Sequence, residues 1–469
     1  MAPMDNASTA LRSPRGRWIL AATVLGSGLA LLDGTVVNVA LPFLGRELDA
    51  GMEGLQWTVN AYMVTLAGLI LLGGSLGDRY GRRKIFLVGT VWFAVASALC
   101  GLSPTIEFLV GARALQGVGG ALLTPGSLAI IQASFAREDR PRAVGLWSGL
   151  GGVAAAVGPF LGGWLVQTVG WRWVFLINPP LAVIVVAVAL RHVPESRDER
   201  ASGRFDVLGA ALAALSLTLI AYGLIRKEAA APLVAGVALA VAFVVTEIRR
   251  SPAALVPVGL FRSRVFTAVN VVTLIMYAAM GVVFFLLVVQ LQVVSGFSPL
   301  AAGLALLPAT LLMLLLSARA GEVARRYGPR LLMTAGIVLA GASFLWMSTI
   351  GFGASYALQV LPSVTVFGLG LSAAVAPLTS TVLATADDRY AGTASGVNNA
   401  VARTGSLLSV AAVPPLVGLV GDAFENPPVF DAGFRTAMLV SAAMMLASAL
   451  ITFLTIRTNV LTEQPPTRP

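Results

Sequence analysis

Charge is what this chain has least of. Only 12% of its 469 residues are Asp, Glu, Lys or Arg, and 57% are hydrophobic. A soluble domain carries roughly 25% charged residues, so a water-covered surface is excluded for most of this length. The single cysteine, Cys100, excludes an internal disulfide and sits in an apolar run as a small packing residue. With one histidine, His192, there is no His/Cys cluster to hold a metal. No GxxxxGK[ST] phosphate loop occurs, so no ATP-driven step and no cofactor is expected. Lysine is nearly absent: among 32 basic residues only Lys84 and Lys227 are lysines, an arginine bias that suits a G+C-rich bacterial genome. The net charge of +10 is scattered over short loops rather than laid along one face, which excludes nucleic acid as the partner.

Long apolar runs fill the space that charge leaves. They are continuous rather than alternating, and in lipid a continuous run is a helix. Fourteen spans are predicted, near 18–41, 55–76, 85–101, 106–133, 143–166, 172–190, 206–225, 230–248, 266–290, 300–318, 331–351, 356–380, 393–419 and 435–456. The first follows Arg12, Arg15 and Arg17, contains Asp33 and is too long for a secretory signal, so it is read as a retained span. With the N-terminus in the cytoplasm, 24 loop arginines and lysines fall inside and five outside: Arg46, Arg172, Arg226, Lys227 and Arg435. That asymmetry predicts a multi-pass protein of a bacterial inner membrane with both termini cytoplasmic.

An internal repeat divides the chain. Arg79-Tyr80-Gly81 returns as Arg326-Tyr327-Gly328, an offset of 247, and Asp139-Arg140 returns as Asp388-Arg389, an offset of 249. Two six-helix units are expected, residues 1–190 and 266–469, separated by a segment 191–265 with two extra spans. This 6+2+6 plan fits a transporter with its substrate site between the halves.

The motifs carry a family resemblance. Leu32-Asp33-Gly34-Thr35-Val36-Val37-Asn38-Val39-Ala40-Leu41-Pro42 in the first span, the loop Gly74-Ser75-Leu76-Gly77-Asp78-Arg79-Tyr80-Gly81-Arg82-Arg83-Lys84, and Arg113-Ala114-Leu115-Gln116-Gly117 in the fourth are three such motifs. Gly149, Gly158-Pro159 and Gly162-Gly163 in the fifth span, followed by Trp171 to Pro180, complete the set. Together they resemble the major facilitator superfamily, and within it the fourteen-span drug:proton antiporters. The resemblance implies an all-α polytopic fold, export, and proton coupling in which Arg113 governs when an acid releases its proton. In the downstream copy of the loop Arg325 stands where the acid would be, so an acid-dependent lock is expected only in the first copy.

Asp33 is the acid deepest within any predicted span, and an intramembrane carboxylate is by default a functional candidate. Desolvation favours its neutral form, which suits it to proton exchange or to anchoring a cation. Arg113 needs a carboxylate, carbonyls or water, and Gln116 lies one turn on. Asn38, Trp57, Asn60, Tyr62, Asn270 and Tyr277 are candidate cavity-lining residues, with Gln290, Asn398 and Asn399 beside them. Gly74, Asp78, Arg79, Gly81 and Arg82 are expected to form a gate, with glycines 74, 77 and 81 turning the chain and Asp78 and Arg79 making charge-assisted contacts. Gly149, Gly158, Pro159, Gly162 and Gly163 are expected to form a pliable seal between the halves.

The reading is a monomeric, non-enzymatic, proton-driven exporter of amphipathic drugs or antibiotics, working by alternating access. One deep acid favours monocationic or neutral lipophilic cargo. An exporter dedicated to one metabolite, lipid or amino acid, and a non-transporting membrane receptor or enzyme, remain as alternatives.

Overall fold

The computed structural model describes residues 9–197, 206–226, 229–250, 256, 258–385 and 391–461. Arg200, Arg204, Lys227, Asp388-Arg389 and Arg468, used above for topology and repeat, lie outside them. Among the described residues the chain is helical, with one isolated bridge between Thr9 and Phe135.

Its long helices, in chain order, begin with α1 Pro14–Glu47, α2 Met52–Tyr80, α3 Arg82–Gly101, α4 Ile106–Ser134, α5 Arg140–Thr168 and α6 Trp173–His192. Then come α7 Val207–Ile225 and α8 Ala230–Arg250. The series ends with α9 Arg264–Val293, α10 Pro299–Tyr327, α11 Pro329–Met347, α12 Tyr356–Ala384, α13 Ala391–Leu416 and α14 Pro427–Thr455. Among the described residues, thirteen are long and apolar enough to cross a membrane. The remaining one, α13, has 26 residues but carries Asn398, Asn399 and Arg403 through its middle, which makes it more polar.

Local chemistry sets the boundaries. Ser13, Thr105, Ser263 and Ser298 cap α1, α4, α9 and α10 by accepting a backbone N–H, and prolines open several first turns. The loop glycines behave differently from expectation: α2 runs straight through Gly74 and Gly77, and the chain turns at Gly81 alone, with φ +115°. Helical N–H···O bonds override the conformational freedom of the first two, which packing does not force, since a Cβ on either would meet nothing closer than 3.6 Å. Gly328, the counterpart of Gly81 in the second copy, likewise turns with φ +86°, between α10 and α11.

The repeat extends to packing. In the first set of helices α1 packs on α5 and α6, α2 on α4, and α3 on α4 and α6. Eight helices later the same pairs recur: α9 on α13 and α14, α10 on α12, α11 on α12 and α14. Glycine permits the closest of these approaches in both sets. A Cβ on Gly89 of α3 would lie 2.8 Å from the Leu123 nitrogen of α4, and one on Gly336 of α11 2.6 Å from the Gly370 oxygen of α12. The α7–α8 hairpin packs by α7 against α2 and α13, and Glu53 at the start of α2 accepts from Arg226 at 2.6 Å. Exposed apolar side chains such as Val95, Val183, Val234 and Leu315 cover the outside, the arrangement lipid requires.

The two sets touch mainly at the end of the bundle away from the chain termini. There Gln292 donates to the Val39 carbonyl at 3.1 Å and the Met52 N–H to that of Gly421 at 2.6 Å. At the same end α5 meets α10: a Cβ on Gly163 would sit 2.4 Å from the Pro299 oxygen, and one on Gly303 2.1 Å from the Pro159 oxygen. Towards the termini the same helix α5 is open. Gly145, Gly149 and Gly152 have nothing within 4 Å of a built Cβ, and Leu146 and Leu150 are exposed. Helix α5 thus meets α10 at one end and has open space beside its glycines at the other, whereas α2 and α13 meet at both levels, Gln56 with Val410 and Leu71 with Gly396.

Candidate functional site

Five helices build one polar centre inside the first set. Helix α1 contributes Asp33; the others contribute pairs one turn apart, which helical spacing puts on one face. These are Thr58 and Tyr62 on α2, Ser97 and Cys100 on α3, Arg113 and Gln116 on α4, and Phe175 and Asn178 on α6. Gly117 makes the arrangement possible, because a Cβ there would lie 2.4 Å from the Tyr62 carbonyl oxygen and hold α4 off α2.

The Asp33 carboxylate is surrounded by donors. Arg113 Nη1 donates to Oδ2 at 2.5 Å; Gln116 Nε2 and Asn178 Nδ2 donate to Oδ1 at 2.8 and 3.2 Å. Arg113 also donates from Nη1 to Gln116 Oε1 at 2.6 Å and from Nε to the Thr58 carbonyl at 3.0 Å. Its guanidinium lies 4.3 Å from the Tyr62 ring centroid. Asn178 donates in turn to Ser97, whose hydroxyl donates to the Phe175 carbonyl at 2.9 Å. Asp33 and Arg113 are 0% and 1% exposed, so the pair is cut off from water and lipid alike. Each of the three side chains facing the carboxylate donates to it in this arrangement.

The structure gathers Asp33, Arg113, Gln116 and Tyr62, and disperses the other candidates. Trp57 faces α7, its ring 6.1 Å from that of Tyr222. Asn60 is fully buried with both amide atoms unpaired. Asn38 is half-buried. Asn398 donates to Asn270 Oδ1 and Thr273 Oγ1, tying α13 to α9. Tyr277 is half-buried on α9, and Asn399 is exposed. Gln290 donates to the Ile350 carbonyl and to Asp431, a structural tie within the last helices.

At the loop between α2 and α3, Asp78 accepts from Arg82 Nε at 2.8 Å, and the Arg79 guanidinium lies 5.8 Å from the Tyr80 ring centroid. Glu195 adds a contact from farther along the chain: its carboxylate accepts the backbone N–H groups of Arg83 and Lys84 at 3.1 Å each and so caps α3. The second loop is not acid-free: Glu322 accepts from Arg326 at 2.9 Å and also from Arg325. These pairs are exposed and lie within α10, whereas Asp78 reaches across the turn to Arg82 of α3. Of the fifth-helix residues, Gly158 and Gly162 pack on Thr35 and Val36 of α1, Pro159 and Gly163 meet α10, and a Cβ on Gly149 would meet nothing within 4 Å.

Sequence reasoning did not single out Ser97, Asn178, Glu195 or Arg403 as site residues. Asn178 stood inside a quoted motif, Arg403 was visible as a charge within a predicted span, and Glu195 gave no signal across 112 residues of separation.

A helical bundle with two sets of matching helix contacts and a buried ion pair in one of them fits the architecture of polytopic transporters. The family model "Major Facilitator Superfamily" matches residues 23–410. The chain belongs to that superfamily. It is 35% identical over 435 residues to the tetracenomycin C resistance and export protein of Streptomyces glaucescens, covering 90% of this chain and 80% of that one. It is 31% identical over 459 residues to the multidrug efflux pump LfrA of Mycolicibacterium smegmatis, covering 95% and 89%. Among solved structures, a POT family transporter in complex with 5-aminolevulinic acid superposes with TM-score 0.74 at 14% identity, covering 98% of this chain and all of the other, which speaks to fold.

Proposed function

We propose that the protein is a proton-coupled antiporter that exports amphipathic drugs or antibiotics by alternating access. The observation that carries this is the Asp33–Arg113 pair, saturated with donors and sealed within the first six helices. The names of the tetracenomycin and multidrug relatives support the cargo class. The matching helix contacts support two six-helix halves with the α7–α8 pair inserted, α13 counting as the fourteenth span. With cytoplasmic termini, the end at which α5 is open faces the cytosol and forms the parted end that receives cargo.

In this cycle Asp33 acts on protons and does not touch the cargo while the bundle is parted toward the termini. Rearrangement toward the opposite opening separates Arg113 from Asp33, and the freed carboxylate then takes a proton from outside. Return to the present packing brings the guanidinium back and expels that proton inward. A buried ion pair is costly to break, about 3–5 kcal/mol when a partner is lost. One charge crossing 100 mV supplies about 2.3 kcal/mol, roughly a fifty-fold gradient. The pair must therefore be remade during the same cycle rather than left open. Asp78, Arg82 and Glu195 hold the loop at the parted end, while Pro159 and Gly163 seal the other.

The test is flux in proteoliposomes under an imposed proton gradient. Asp33→Asn is expected to abolish uphill export while downhill exchange persists; equal uphill export by the variant removes Asp33 from coupling. A dedicated exporter is the second reading, favoured by relatives named for single antibiotics, such as the methylenomycin A resistance protein of Bacillus subtilis. A substrate panel separates breadth from dedication.

A further inference from the structure

Arg403 occupies the middle of α13 and is used by nothing described so far. On α13, residues 396, 403 and 410 are spaced seven apart and form one stripe. Both ends of that stripe face α2: a Cβ on Gly396 would lie 3.0 Å from Leu71, and Gln56 donates to the Val410 carbonyl at 2.7 Å. Arg403 therefore points at the junction of α2 and α13, between the two helix sets. Its Nε is sealed from solvent and has no hydrogen-bond partner, and the groups acting electrostatically on it are Tyr62 of α2 and Tyr277 of α9, with no carboxylate among them. Taking a guanidinium out of water without a counter-ion is costly. The contrast with Arg113, whose Nε and Nη1 both donate and which pairs with a carboxylate, is direct.

A second group in the same junction is also unsatisfied. Asn60 lies one turn from Gln56, hence on the face of α2 that meets α13. It is fully buried, and neither its Oδ1 nor its Nδ2 has a partner. A half-buried guanidinium with a sealed, unpaired Nε and a buried, unpaired amide, facing one junction from opposite helices, form a constellation that lacks an anion.

We propose that Arg403, with the amide of Asn60 and the hydroxyl of Tyr277, forms a subsite between α2 and α13 for the carboxylate, sulfonate or phenolate group of an amphipathic substrate. This rests on the export reading and names a substrate class for it. The subsite also changes the cargo expected from the sequence. A cation drawn to Asp33 meets a fully buried acid in this conformation, whereas an anion meets a guanidinium whose Nε has no partner.

The test uses the purified full chain in phosphatidylcholine vesicles, whose headgroups carry no net charge. Binding of a radiolabelled naphthalene sulfonate and of tetraphenylphosphonium is measured for the wild type, Arg403→Gln and Arg403→Lys, together with thermal melting. Losing one charge-assisted contact is expected to weaken sulfonate binding by Arg403→Gln about ten-fold or more. Tetraphenylphosphonium binding should hold, and melting should not fall, because a half-buried charge without a counter-ion has been removed. Arg403→Lys should retain most of the sulfonate binding. Unchanged sulfonate binding by Arg403→Gln overturns the proposal, as does equal loss of both probes with lowered melting. If Arg403→Gln does not fold, Arg403→Lys decides: sulfonate binding kept supports the subsite, and binding lost overturns it. A wild type that binds the sulfonate through Arg403 but moves neither probe under a proton gradient keeps the subsite and removes the export reading.

Discussion

Replacing Gly163 by alanine tests whether the α5–α10 contact is what closes one end of the molecule. A Cβ there would lie 2.4 Å from the Pro299 oxygen and 2.7 Å from the Leu300 Cα, both backbone atoms that no rotamer change can clear. The two helices would have to part by more than half an ångström at a contact with no slack. Overpacking of this kind costs about 1–3 kcal/mol. The contact exists in the closed-end state, so that cost falls on one side of the conformational equilibrium and shifts it by about 5- to 150-fold. Spin labels on Val169→Cys and Val420→Cys, both exposed near the closed end, would report the distance; native Cys100 is fully buried and should not label. Gly163→Ala should broaden that distance toward longer values. Gly149→Ala, in the same motif but with nothing within 4 Å, should leave it unchanged. Identical distributions for Gly163→Ala and wild type, or a larger shift with Gly149→Ala, would refute the assignment of the seal.

Two further predictions concern the ion pairs. Arg113→Ala leaves the Asp33 carboxylate buried without its counter-ion and should lower stability by about 3–5 kcal/mol. Adding Asp33→Leu should restore much of the melting temperature without restoring transport, and a double variant as unstable as the single one would show that the carboxylate is not the source of the loss. At the loop, the Asp78–Arg82 pair is partly exposed, 42% and 20% by side chain, so Asp78→Asn should change stability by less than about 1 kcal/mol. Glu195→Gln should cost more, about 1 kcal/mol, by weakening the cap on α3; comparing the two melting temperatures checks the order.

Much of this architecture is legible in the sequence because a lipid environment enforces simple rules. Continuous apolar runs must be helices, and the ends of α3 and α4 fall within a few residues of expectation because Gly81, Thr105 and the basic loop mark them chemically. The recurring Arg-Tyr-Gly foretold the equivalence that φ at Gly81 and Gly328 makes concrete. Asp33 and Arg113 were visible as charges where charge is expensive, and their union follows from there being few partners for either.

What the sequence could not decide is which face of each helix meets which neighbour. Gly74 and Gly77 read as turn residues but are held in α2 by its continuous backbone ladder. Glu195 caps α3 from far along the chain, and Asn178 and Ser97 complete the Asp33 shell through contacts that exist once α3 and α6 pack. Composition and pattern thus set the solvent and the helices, because those depend on local hydrophobicity. Tertiary packing alone determined that Asp33 is enclosed while Arg403 Nε and the Asn60 amide are left without partners, because the rotation and contact partners of a helix are set by its neighbours.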